Sequence, residues 1–230
     1  YDVDKLVYLQ MVGSRDKEKE RKINQLLEDD RKKVMEMEPP DSYPDDGWEY
    51  RFHVGTHRCD VEYADEKFIS IIYNGYAQYH SPGKGFDSSM MATTIDCEEM
   101  KVLELKDVVS DLNGLCQMLM EDRFEHITAW EGRTGDYKMS DIYSYGDEDL
   151  SYLLLEELNG NDREIEWYIK ERKMSFSERW SAFWGDEVDK ALAGKDFVIV
   201  TLRDYYYHEY AIDMRQIREL LKEDFVKSML

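Results

Sequence analysis

Apolar positions along the chain switch between a period of two and a period near 3.6, and these switches divide it into elements. Over residues 2–12 the side chains Val3, Leu6, Tyr8 and Val12 predict a short strand, ended by Gly13-Ser14. Residues 16–37 are highly charged but carry Ile23, Leu26, Leu27 and Val34 at helical spacing, predicting a surface helix with one narrow buried stripe. Pro39-Pro40 and Pro44 stop it and make "PPDSYPDDG" a loop.

A β-rich stretch follows. Tyr50, Phe52 and Val54 alternate within 48–63, and the alternation resumes after Gly55 at Cys59, Val61 and Tyr63. Asp65-Glu66 turns the chain into a second strand over 68–79. The loop "HSPGKGFDSS" leads to a third over 90–96, and "CEEM" turns into 102–105. Strands so closely spaced predict an antiparallel meander. From Lys106 the spacing Val108, Val109, Leu112, Leu115, Met118 and Leu119 becomes helical, with Asp107 in the first turn.

Residues 123–146 show no clear period. A short helix over 150–158 ends at Asn159-Gly160, and a further helix rich in Trp and Arg is expected within 163–184. Residues 197–202 predict a buried strand and 205–212 its return, after which Asp213 caps a last helix over 215–225 with Ile217, Leu220 and Leu221 inward. There is no internal repeat and no linker long enough to divide the chain. The pattern predicts a single α+β domain, a twisted antiparallel sheet with helices packed mainly on one face.

Charge narrows the partners. Fifty-one acidic residues against 30 basic ones give a net charge of −21, while 42% apolar residues supply a core. Phosphate binding needs clustered Lys and Arg, so nucleic acid is not an expected partner, and an anionic membrane surface is equally disfavoured. A field of this sign draws cations and basic proteins and speeds their encounter at low salt; the plainer reading is that it keeps the chain soluble. There is no run of about 18 apolar residues to span a bilayer. The chain opens at Tyr1 rather than Met, which suggests removal of an upstream signal, anchor or trimmed segment. Three cysteines, Cys59, Cys97 and Cys116, fit no metal-ligand spacing and allow at most one disulfide.

Several local matches carry a resemblance: Tyr8 and Gln10 in the opening segment, Lys22-Ile23-Asn24 in the first helix, Asn74-Gly75-Tyr76 in the hairpin, Ile95-Asp96 with Leu103, Leu105 and Asp107, and Leu220-Leu221 near the end. In this order the chain resembles the extracellular domain of the RsiV-type anti-sigma factors, a module that also occurs in the non-catalytic part of some peptidoglycan deacetylases. The resemblance covers most of the chain except a divergent, insertion-like segment around 123–190. It departs at Leu9, where the family usually has Pro, at "AQYHSPGKG", where it has a Gly-Gly-Ala-His loop, and at the late hairpin "LRDYYYHEYAID". The resemblance implies an exported or anchored, envelope-facing sensor or binding module with lysozyme as its candidate ligand; the expected partner of the acidic, tyrosine-rich surface is a cationic protein or a cell-wall component.

Catalytic chemistry is weakly signalled. Paired-carboxylate hydrolysis needs two carboxyls facing across a cleft, and no pair stands out. The stretch "TTIDCEEMKVLELKDVV" is read structurally, with Asp96 ending a strand, residues 97–100 forming the turn and Asp107 starting a helix. His53 and His57 lie four positions apart in a β pattern, roughly 13 Å, too far to share one metal ion. Cys59 with His57, or Ser81 with His80, lacks an evident orienting acid. No catalytic residue, metal or cofactor is therefore expected.

The candidate contact surface is aromatic: Tyr76, Tyr79, His80, Lys84 and Phe86 around the long hairpin loop, with Tyr206 from the run Tyr205-Tyr206-Tyr207, which cannot all face inward. Tyr73 and Tyr210 belong to the same aromatic groups. The leading expectation is a non-catalytic binding domain. The alternatives are a hydrolytic enzyme whose carboxylate pair lies in 123–190, and an intracellular acidic interaction protein with three thiols.

Overall fold

The computed structural model describes residues 9–35, 53–54, 58–78, 86–128, 138–145, 148–160, 165–171, 195–204 and 206–229. The chain is α+β and divides into two compact units, Tyr1–Leu103 and Glu104–Leu230.

The first unit is a meander with one helix on it. α1 (Lys17–Met35) starts where the Asp16 carboxylate accepts the main-chain N–H groups of Glu18 and Lys19, both at 3.0 Å. Strands β1 (His53–Val54), β2 (Arg58–Ala64), β3 (Phe68–Gln78), β4 (Phe86–Asp96) and β5 (Lys101–Leu103) form an antiparallel sheet in which β3 pairs with β1, β2 and β4, and β4 pairs with β5. The narrow stripe read from the sequence is what docks: Ile23 and Leu27 pack on Ile71, Tyr73, Ile95 and Cys97. Because side chains alternate along a strand, Phe68, Ser70 and Ile72 point to the opposite face, and they are buried too. In β2, Val61 pairs with Ile71 and Tyr63 with Ser70, so Glu62 is the extra residue of a β-bulge.

The second unit begins with α2 (Leu105–Val108) and α3 (Leu112–Met120), followed by β6 (Glu125–Thr128), α4 (Met139–Ile142), the small pair β7 (Ser144–Tyr145) and β8 (Glu148–Asp149), and α5 (Ser151–Leu158). Its main sheet is antiparallel in the order β6, β11 (Tyr206–Asp213), β10 (Lys195–Asp204), β9 (Ile165–Glu171). Lying between two neighbours suits the unbroken apolar run 197–200 of β10. A 3₁₀ turn (Arg218–Leu220) and α6 (Glu223–Met229) end the chain. α3, whose Leu115, Cys116 and Leu119 are buried, packs on α4 and α5.

Several expectations change. Within 2–12, residues 9–12 join no strand; the remainder lies outside the described residues. β4 begins at Phe86, four residues earlier than expected, because pairing with β3 overrides the poor strand propensity of Asp87, Ser88 and Ser89. The helix expected from Lys106 breaks after Val108: Val109 bridges Leu221, and Lys222 N–H donates to Val108 O at 2.8 Å. The same stitching replaces the helix expected over 215–225. Within 163–184 the described residues form strand β9, not a helix, since Trp167, Tyr168 and Ile169 are all buried and an alternating strand buries consecutive residues on its two faces.

Candidate functional site

Two of the aromatic residues read from the sequence as a candidate contact surface fall on the β3–β4 hairpin. Tyr76 pairs with Ser88 and Phe86 with Gln78, so both residues lie in the last rungs before the connecting loop. Tyr79, His80 and Lys84 fall outside the described residues. Tyr206 is in the second unit, where it pairs with Asp204 across the β10–β11 turn. Two other tyrosines of these groups serve packing instead: Tyr73 is 3% and Tyr210 2% exposed. His53 is opposite Gln78 in β1, and His57 lies outside the described residues.

The acidic turn residues have backbone work. Asp96 accepts the N–H groups of Glu98 and Glu99 at 2.8 and 2.9 Å, closing the 97–100 turn as its sequence suggests. Asp65 accepts from Lys67 and Phe68 N–H through Oδ1 and from the Tyr63 hydroxyl through Oδ2 at 2.5 Å. Asp107 accepts the Glu104 N–H at 2.9 Å, and Asp111 the Gly114 N–H at 2.9 Å. Each satisfies main-chain donors that a turn or helix start would otherwise leave open. In the divergent segment, buried Glu157 of α5 takes a hydrogen bond from the Tyr143 hydroxyl.

The thiols are muted. Cys59 hydrogen-bonds to Tyr73, and burial together with the neighbouring Asp60 charge pushes its thiol up to about 11. Burial does the same to Cys97, also to about 11. A thiol is nucleophilic as the thiolate, so neither environment activates it. Cys59 pairs with Tyr73 on β3, whereas Cys97 N–H donates to Lys67 O six residues away, a separation of about 20 Å at 3.3 Å per residue, beyond disulfide reach. Cys116 points at the Ser151 carbonyl at 3.5 Å.

Sequence reading missed one buried polar group under α1. Asp30 is 1% exposed, with the hydroxyl of Thr93 and the ammonium of Lys33 beside it. The signal was there: Asp30 stands three residues after Leu27 and four before Val34, on the stripe itself.

Among the described residues no group of three or more His, Cys, Asp or Glu is arranged to hold a metal ion, and no helix is long and apolar enough to cross a membrane. Compared with models of known protein families and with curated proteins, the chain matches none.

Proposed function

We propose that the chain is a non-catalytic, envelope-facing binding module akin to the extracellular domain of the RsiV-type anti-sigma factors, and that it engages a cationic protein such as lysozyme, or a cell-wall component. The observation that carries this reading is the net charge of −21. Much of that charge is solvated, on exposed residues such as Glu66, Glu98, Glu99, Glu223 and Asp224. A field of this kind accelerates the approach of a basic partner, while aromatic side chains at a hairpin tip supply the short-range contact that a field alone does not. The aspartates at turns and the high thiol pKa values support binding over nucleophilic or acid–base chemistry.

Zero-length carbodiimide coupling tests the proposed surface, because it joins carboxylates to lysines of a bound basic protein. Links concentrated at Asp87 and its neighbours in the hairpin are expected. Links scattered over both units, and equal with an unrelated basic protein, would reduce the proposal to a nonspecific field.

A further inference from the structure

The stripe that docks α1 contains a carboxyl where its period calls for an apolar side chain. Positions 23, 27, 30 and 34 fall on one face of a 3.6-residue helix, and they read Ile, Leu, Asp, Val. Asp30 is buried as deeply as Ile23 and Leu27. Its Oδ1 meets Lys33 Nζ of the same helix at 3.2 Å, and the Thr93 hydroxyl of β4 hydrogen-bonds to the carboxyl. Oδ2 has no hydrogen-bond partner. Tyr73 of β3 lies within electrostatic reach, itself bonded to Cys59 of β2, and Asp29 adds a like charge from the helix.

We propose that Asp30 is a proton-operated latch: the neutral carboxylic acid fastens the C-terminal turns of α1 to the sheet of the first unit, and loss of its proton loosens them. An ionised carboxylate presents two acceptor oxygens to its surroundings, and here one of them faces no donor in a water-poor site. A neutral carboxyl leaves only a hydroxyl to accommodate, a far smaller penalty. The charged neighbours do not reverse this balance. Lys33 is a single ammonium whose side chain is 52% exposed, so water screens it, and Asp29 opposes it. Burial is the largest influence on the Asp30 pKa and pushes it above the ordinary carboxylate value, while Thr93 and Lys33 pull it part of the way back.

The direction of the effect follows from linkage. The docked helix binds the proton more tightly than the undocked one, so the stabilisation is fully present below the ordinary aspartate pKa. It is lost as pH rises through the higher docked-state value. Above that value α1 still folds onto the sheet, but its last turns open more often.

Amide hydrogen exchange on the intact chain reads this opening, after correction for intrinsic exchange rates. From pH 4 to pH 7 the opening equilibrium at residues 27–35 is expected to rise more than about threefold, with residues 17–22 changing less. Asp30→Asn keeps the shape without the charge and should flatten the rise; Lys33→Met should steepen it. Carbon-13 NMR of the Asp30 carboxyl in the unsubstituted chain decides the matter even where a variant folds poorly. A titration clearly above the ordinary value of about 3.9 supports the latch. A titration at or below that value, or the same pH dependence in Asp30→Asn, overturns it.

Discussion

Asn24 holds Met11 by both of its main-chain groups: the Met11 N–H donates to Asn24 Oδ1 at 2.7 Å, and Asn24 Nδ2 donates to the Met11 carbonyl at 2.9 Å. A side chain on α1 thus makes the two bonds that a neighbouring strand would make, and residues 9–12 join no strand. Leu9 and Met11 are thereby laid against the Ile23–Leu27 core. Asn24→Ala removes both bonds and leaves two part-buried main-chain groups unsatisfied. An expected loss of about 2 kcal/mol follows at roughly 1 kcal/mol per bond, measured by denaturant unfolding. Asn24→Asp keeps one acceptor, loses the donor to Met11 O and should fall between. An unchanged midpoint for Asn24→Ala would show that the clamp contributes nothing.

The meander was legible because its strands lie next to one another in sequence and their apolar alternation is local. The strand β9 was not: Ile165, Trp167, Tyr168 and Ile169 fit either a buried strand or a buried helix, and its partner β10 begins 24 residues after β9 ends. The break between α2 and α3 was hidden for a related reason. Nothing near Val109 announces Leu221, which supplies the competing bridge from the far end of the unit. Of the candidate aromatic residues, the sequence placed Tyr76 in its strand but left Phe86 in the loop, and it did not separate Tyr76 from Tyr73, whose position under α1 depends on strand register.

Asp122 joins two helices. With φ of 52° it is the left-handed residue that ends α3: its N–H donates to Leu119 O, and Arg123 N–H reaches back to Met118 O at 3.2 Å. Its carboxylate accepts the Met139 N–H at 2.9 Å and so caps the start of α4 from a distance in sequence. Glycine, the usual choice for the first role, cannot perform the second. Asp122→Gly is therefore expected to lower stability by about 1 kcal/mol despite the relieved backbone, with Asp122→Asn closer to the parent chain. Thermal unfolding of the two variants checks the order; a stabilised Asp122→Gly would contradict it.

Thiol reactivity offers a check on the first unit. With Cys59 and Cys97 both near 11, the thiolate fraction at pH 8 is about one in a thousand, roughly two orders of magnitude below an ordinary cysteine. Alkylation of the native chain at pH 8 should be correspondingly slow and should become fast in denaturant, which mass spectrometry of the labelled peptides resolves site by site. Fast native labelling of Cys97 would contradict the burial that places it beside Ile95.

Binding of a basic partner is the claim on which the functional account rests. Calorimetric titration with a c-type lysozyme at about 0.15 M salt, where the Debye length is roughly 8 Å, tests it against an equally basic unrelated protein. The account predicts saturable binding to lysozyme that exceeds the control and weakens in Tyr79→Ala or His80→Ala. Equal weak heats for both proteins, or none for either, would contradict it.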